Sequence, residues 1–143
     1  MLYFAPPSDF NPKARVTGCY MMHSGEVLLL KRAKGKDYGG TWCVPGGKVD
    51  PGEDDIETKM RETLEETGII LLEEGSQFVQ EVYVRYPEYD IIYVIFVARP
   101  NKRPKVTIRE TEHEAFTWAT PQVATATLPL IPYLAECFEL AFK

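Results

Sequence analysis

The sequence predicts an α/β fold with a mixed (α+β) sheet, held between helices. Three observations predict it. Segments with strand character alternate with helical ones, in the order hairpin, strand, helix, strands, strand, helix. Residues 91–98, IIYVIFVA, are almost wholly apolar, as in a central strand covered on both faces. Residues 47–69 open as a glycine-bearing loop, continue as a short helix and stop at Gly68. At 143 residues the chain can bury one good core, so a single domain over 1–143 is expected.

Residues 1–13 carry three prolines and several aromatic side chains, and read as an N-terminal arm or edge segment with Tyr3, Phe4 and Phe10 packed on the body. Residues 15–22 and 27–31 are strands joined by the turn His23-Ser24-Gly25-Glu26, which makes a hairpin. Residues 32–40, RAKGKDYGG, are a polar loop whose cations Arg32, Lys34 and Lys36 either reach phosphates or stay solvated. Residues 41–45 form a short strand leading into Gly46-Gly47, where small residues allow a metal or phosphate to come close. Asp50-Pro51-Gly52 is turn chemistry ahead of the helix. Beyond it, residues 78–86 and 91–98 are strands flanking the turn at 87–90. Residues 99–105 are a basic loop, 106–109 a short strand, and 112–119 end in another strand with Phe116 and Trp118 on one face. Thr120-Pro121 opens a short helix to about residue 126. A final helix has Pro132 in its first turn and Ile131, Leu134, Phe138, Ala141 and Phe142 on its buried stripe.

Composition narrows the partners. The net charge of −5 argues against a general binder of nucleic-acid polymers or membrane surfaces. Cys19, Cys43 and Cys137 are odd in number and widely spaced, which reads as reduced, packed thiols in a cytoplasmic protein. The first residues lack a basic leader, and the run at 91–98 is too short to span a membrane, so neither signal peptide nor membrane anchor is expected.

The chemistry concentrates in the helix after Gly47. Ile56, Met60, Thr63, Leu64 and Thr67 fall on one helical stripe, which predicts the core face. Glu62, Glu65 and Glu66 fall on the other side at i, i+3, i+4 spacing, where like charges repel. A solvated acidic surface is the ordinary explanation of such a cluster. A bound divalent cation is the other, since it would relieve the repulsion, and hard oxygen ligands suit Mg2+ or Mn2+. Gly46-Gly47, Glu53 and Arg61 crowd the same stretch and favour the second explanation.

Gly47, Glu53, Arg61, Glu62, Glu65, Glu66, Gly68 and Ile69 stand at the spacing of the box that defines the Nudix hydrolases, and the stretch resembles it. Thr63 replaces the usual aliphatic residue at one position, a small departure because it faces the core and its hydroxyl can bond the preceding turn. The approach to the box, with Gly40, Trp42, Pro45, Gly46 and Gly47 as G-x-W-x-x-P-G-G, is similar to the same family.

The resemblance implies the Nudix α/β/α sandwich and Mg2+-dependent (or Mn2+-dependent) hydrolysis of a diphosphate linked to a nucleoside. It implies Glu62, Glu65, Glu66 and the Gly46 carbonyl as metal ligands, with Glu112, and after it Glu114, as an extra carboxylate from outside the box. Glu53, Arg61, Glu62 and Glu65 would be the catalytic set: one glutamate as general base, and Arg61 orienting the acids. Arg32 and Lys48 are expected against substrate phosphates, and Trp42 in the core. A nucleoside triphosphate cut to monophosphate and pyrophosphate is the first expectation for the substrate, with ADP-ribose or a nucleotide sugar next. A non-catalytic nucleotide-binding module is the third reading, and homodimers are common in the family.

Overall fold

Residues 1–143 are described by a computed structural model. The apolar run becomes β7 (Asp90–Ala98), between β2 (Pro12–His23), its parallel neighbour, and β6 (Gln77–Arg85), antiparallel to it. The remaining elements are β1 (Leu2–Tyr3), β3 (Glu26–Arg32), β4 (Trp42–Cys43), β5 (Gly46–Lys48), α1 (Asp55–Thr67), β8 (His113–Ala119), α2 (Pro121–Thr127) and α3 (Leu134–Ala141). The sheet runs β1-β6-β7-β2-β3-β4, with β5 also on β2 and β8 also on β3.

Strand alternation divides the core into two layers. Tyr20 and Met22 of β2 face Leu134, Cys137 and Phe138 of α3 and Ala124 of α2. Cys19 and Met21, one residue out of phase, face the other way, toward Met60 of α1 and Ile69 and Leu71 behind it. The fold is therefore a mixed sheet with α1 on one face and α2 and α3 on the other, as expected. No helix is long and apolar enough to cross a membrane.

The feature that makes a site is a fork in this sheet. β2 and β3 pair only beside their hairpin, at Met22↔Val27 and His23↔Glu26. Further along, β2 pairs with β5 at residues 16–18, while β3 pairs with β4 at Leu30 and Lys31. The stretch from Trp42 to Lys48 thus fills the gap between two diverging strands. Ligand sites in α/β sheets favour such points where neighbouring strands part. Gly46 is required there, because a Cβ would lie 2.1 Å from the Thr17 carbonyl oxygen. The strand character of 46–48 was not expected, since glycines are poor strand formers.

α1 begins and ends as the sequence indicates. Asp54 caps it, accepting from the Glu57 N–H at 2.8 Å, while the Asp54 N–H donates back to Glu57 at 3.0 Å. Gly68 closes it at φ 73, a left-handed conformation that suits glycine. Its buried face matches the expected one in part: Thr63 and Thr67 are buried, and Met60 packs on the core. Ile56 and Leu64, expected there too, are 36 % and 48 % exposed, and Thr58 and Lys59 are buried in their place. The cause is what α1 docks against: β5 offers bare glycine backbone, and Glu62 and Glu66 lie over it. Thr58, Lys59 and Thr67 find hydrogen-bond partners there, while the Thr63 hydroxyl, expected to bond the preceding turn, is buried without one. Lys59, 1 % exposed, bonds Ser76 Oγ and sits 4.9 Å from the Phe96 ring centroid.

Three further expectations are corrected. Phe4 is 63 % exposed and does not pack, although Leu2–Tyr3 pairs with β6 and Phe10 meets the Tyr83 ring edge at 5.5 Å. Residues 106–109 form no strand; Thr107 only donates its N–H to the Thr67 carbonyl at 2.8 Å. Pro132 lies ahead of α3, which starts at Leu134 after Tyr133 turns left-handed at φ 73.

Candidate active site

Arg61 is the hub of the acidic cluster. Its Nε donates to Glu53 at 2.7 Å and its Nη1 to Glu62 at 2.8 Å, with Glu65 at 3.5 Å. Its Nη2 reaches the Lys48 carbonyl at 3.1 Å, which ties α1 to the end of β5. Glu53 also accepts from the Thr58 hydroxyl at 2.7 Å and the Asp50 N–H at 3.1 Å. The Arg61 guanidinium and the Thr58 hydroxyl together hold the Glu53 carboxyl down at about 2.

Glu62 and Glu66 behave differently. The Glu62 carboxylate lies against Gly47, so closely that a Cβ there would be 2.4 Å from its carboxyl carbon. Removal from water raises its pKa, against the pull of Arg61. Glu66 accepts the Gly46 N–H at 2.8 Å and forms no ion pair. Desolvation pushes it up to about 8, and the negative charges of Glu62 and Glu112 add to the rise. A desolvated carboxyl beside other carboxylates, with no ion-pair partner, keeps its proton near neutral pH and would release it to a bound cation. A hard divalent cation fits that donor set. No three His, Cys, Asp or Glu side chains are gathered closely enough to hold a metal ion, and Arg61 stands among the acids instead.

A cavity of about 180 Å3 opens beside Glu66 and Gly46 at the fork. Arg32, Cys43, His113, Tyr86 and Tyr133 are among the residues that line it. The Tyr86 ring packs 5.6 Å from Tyr133 and 5.7 Å from Tyr38, the latter on the polar loop after β3. Arg32, expected against phosphates, does line this cavity and makes no ion pair. Lys48 is exposed and does not line it. Lys36 pairs with Glu112 at 3.2 Å, and Lys31 with Glu114 at 3.2 Å. Trp42 is half-buried against the larger core layer.

Sequence spacing gave no signal for His113, Cys43, Tyr86 or Tyr133; only the fold brings them to the box. His113 is 3 % exposed, and burial, with the Arg32 charge, pushes its pKa down to about 4. The sign of its effect on stability follows. Above the ordinary histidine range, both folded and unfolded chains keep the ring neutral. As pH falls from about 6.5 to 4, only the unfolded chain takes the proton, so stability is lost. The loss is about 3 kcal/mol over that window. Urea unfolding of wild type and His113→Asn at pH 7 and pH 4 measures it: the wild type loses the larger amount, and equal losses would contradict the assignment.

A family model described as the NUDIX domain matches residues 12–139. The chain is 39 % identical over 99 residues to the asymmetrical bis(5'-nucleosyl)-tetraphosphatase of Rattus norvegicus, covering 65 % of this chain and 63 % of that protein. It is 30 % identical over 124 residues to the CTP pyrophosphohydrolase of Escherichia coli (strain K12), covering 81 % and 87 % respectively. The crystal structure of a MutT protein from Methanosarcina mazei Go1 superposes with a TM-score of 0.78 at 27 % identity, covering 90 % of this chain and 92 % of that one. The chain spans less than two thirds of the length of the rat relative it matches.

Proposed function

The chain belongs to the Nudix family, and on that premise we propose that it hydrolyses the diphosphate linkage of a nucleoside diphosphate derivative with Mg2+ or Mn2+. One observation carries the reading: Glu66, desolvated and without an ion-pair partner, lies against Gly46 and beside Glu62 in the lining of the cavity. Glu62, Glu65, Glu66 and the Gly46 carbonyl would hold the metal, with Glu112 as a further carboxylate. The bound ion would neutralise the diphosphate and lower the pKa of an attacking water.

The chain's own groups supply the rest. Arg61 fixes Glu53 and Glu62 in one orientation, so that the acids need not reorganise when substrate arrives. One glutamate of the cluster takes the proton of the attacking water, a role suited to a carboxyl whose pKa is raised toward neutrality. Arg32, which makes no ion pair but donates its Nε to the Asp37 carbonyl at 2.6 Å, would offer its remaining donors to the phosphate chain. Phosphoryl transfer depends mostly on such positioning and charge stabilisation.

A nucleoside triphosphate cut to monophosphate and pyrophosphate is the favoured substrate reading, supported by similarity to a CTP pyrophosphohydrolase over 87 % of its length. A dinucleoside polyphosphate is the second, favoured by the 39 % identity to the rat tetraphosphatase. Product analysis by ion-exchange chromatography separates them. Monophosphate plus pyrophosphate from a triphosphate supports the first. Cleavage confined to dinucleoside polyphosphates would replace it with the second. The expected setting is cytoplasmic, with a small nucleotide as the partner and a homodimer as an open assembly.

A further inference from the structure

Arg32 and His113 face each other across β3 and β8 because of an irregularity in the pairing. Lys31 pairs with Ala115, but Arg32 pairs with His113, so Glu114 is an extra residue on β8. Such a bulge re-aims the side chains beside it. Without the extra residue, Arg32 would lie opposite Glu114, and the histidine would point elsewhere. The bulge instead places the imidazole in the lining of the cavity.

The ring is held at one nitrogen and free at the other. Nε2 lies 3.7 Å from the Cys43 Sγ. Nδ1 is buried and has no hydrogen-bond partner. Buried polar atoms are rarely left so, and those that are mark a place where a ligand or water completes the set. The cysteine decides which role Nδ1 plays. Burial keeps the Cys43 thiol protonated, with its pKa pushed up to about 12. A protonated thiol can donate S–H to Nε2, which leaves the ring proton on Nδ1. His113 and Arg32 line the same cavity, so Nδ1–H is a buried, unpartnered donor in a lining that also carries the Arg32 cation. Two donors, one of them charged, select an anionic oxygen.

We infer that His113 is a substrate-binding residue whose Nδ1–H donates to a phosphate oxygen of the nucleotide held beside Arg32, with Cys43 as the positioning residue that fixes the tautomer. This rests on the reading of the cavity as a nucleotide site. It adds a contact outside the acidic cluster and gives two buried residues of unassigned role a shared one.

Two measurements test it. In the free protein, a long-range 1H–15N spectrum of the imidazoles should show His113 protonated at Nδ1 and bare at Nε2. The opposite tautomer would overturn the inference whatever the enzyme does. In turnover, asparagine places its amide near the position of Nδ1, and glutamine near that of Nε2. With the nucleotide that the wild type hydrolyses, His113→Asn should keep KM within about threefold, while His113→Gln and His113→Leu raise it about 10- to 100-fold with kcat little changed. Asn and Gln variants are both polar and similar in size, so a mere packing defect would not sort them this way. Equal KM for the Asn and Gln variants, in a protein whose wild type is active, would sink the inference and leave the hydrolase reading standing. A wild type silent with every nucleotide would remove both.

Discussion

Glu62→Gln is expected to keep the fold and lose about three orders of magnitude in turnover. The amide fills the same volume beside Gly47, so packing is preserved. It carries no charge, so it cannot serve as an anionic ligand, and it surrenders the 2.8 Å contact with Arg61 as an ion pair. The fold should tolerate this because burial already disfavours the charged form of Glu62. Turnover should not tolerate it, because the diphosphate is itself anionic and can meet the carboxylates only across a cation. Steady-state kinetics and a melting curve on the same preparation separate the two effects. A rate within a few-fold of wild type would remove Glu62 from the chemistry.

Gly47→Ala should inactivate by a different route, removing no carboxylate but displacing one. The new methyl would stand 2.4 Å from the Glu62 carboxyl carbon and 2.5 Å from its Oε1. The conflicting atoms are the end of a flexible side chain, so the clash is relieved by moving Glu62 rather than the backbone. Displacing a catalytic group by about 1 Å costs on the order of 100-fold in rate. Turnover should therefore fall by that factor or more, with little change in melting temperature. An active Gly47→Ala variant would mean that the observed position of Glu62 is not the working one. Gly46→Ala is not an equivalent test, because there the clash is with the Thr17 backbone and the fold itself suffers.

Much of this site was legible in the sequence for a local reason. Gly47, Glu53, Arg61, Glu62, Glu65 and Glu66 lie on one loop and one helix, so their spacing alone brings them together. The caps Asp54 and Gly68 were legible for the same reason. The buried face of α1 was legible in part, at Met60, Thr63 and Thr67. Apolar periodicity favoured Ile56 and Leu64, but the glycine backbone of β5 accepts carboxylates, and the helix turns its polar stripe inward. Residues 46–48 were not recognisable as a strand, because their pairing comes from the fork and not from side-chain propensity. His113, Cys43, Tyr86 and Tyr133 come from four separate segments, and only long-range strand pairing and the left-handed turn at Tyr133 bring them to one cavity.

The most direct test of the central claim is phosphate release with Mg2+, coupled to pyrophosphatase or phosphatase. Wild type and Glu62→Gln would be compared across standard and oxidised nucleoside triphosphates, ADP-ribose, nucleotide sugars and dinucleoside polyphosphates. Release by the wild type from at least one of these, abolished by chelating the metal and by Glu62→Gln, is the predicted result. Silence across the whole panel from folded wild type, or release that survives both chelation and Glu62→Gln, would contradict it.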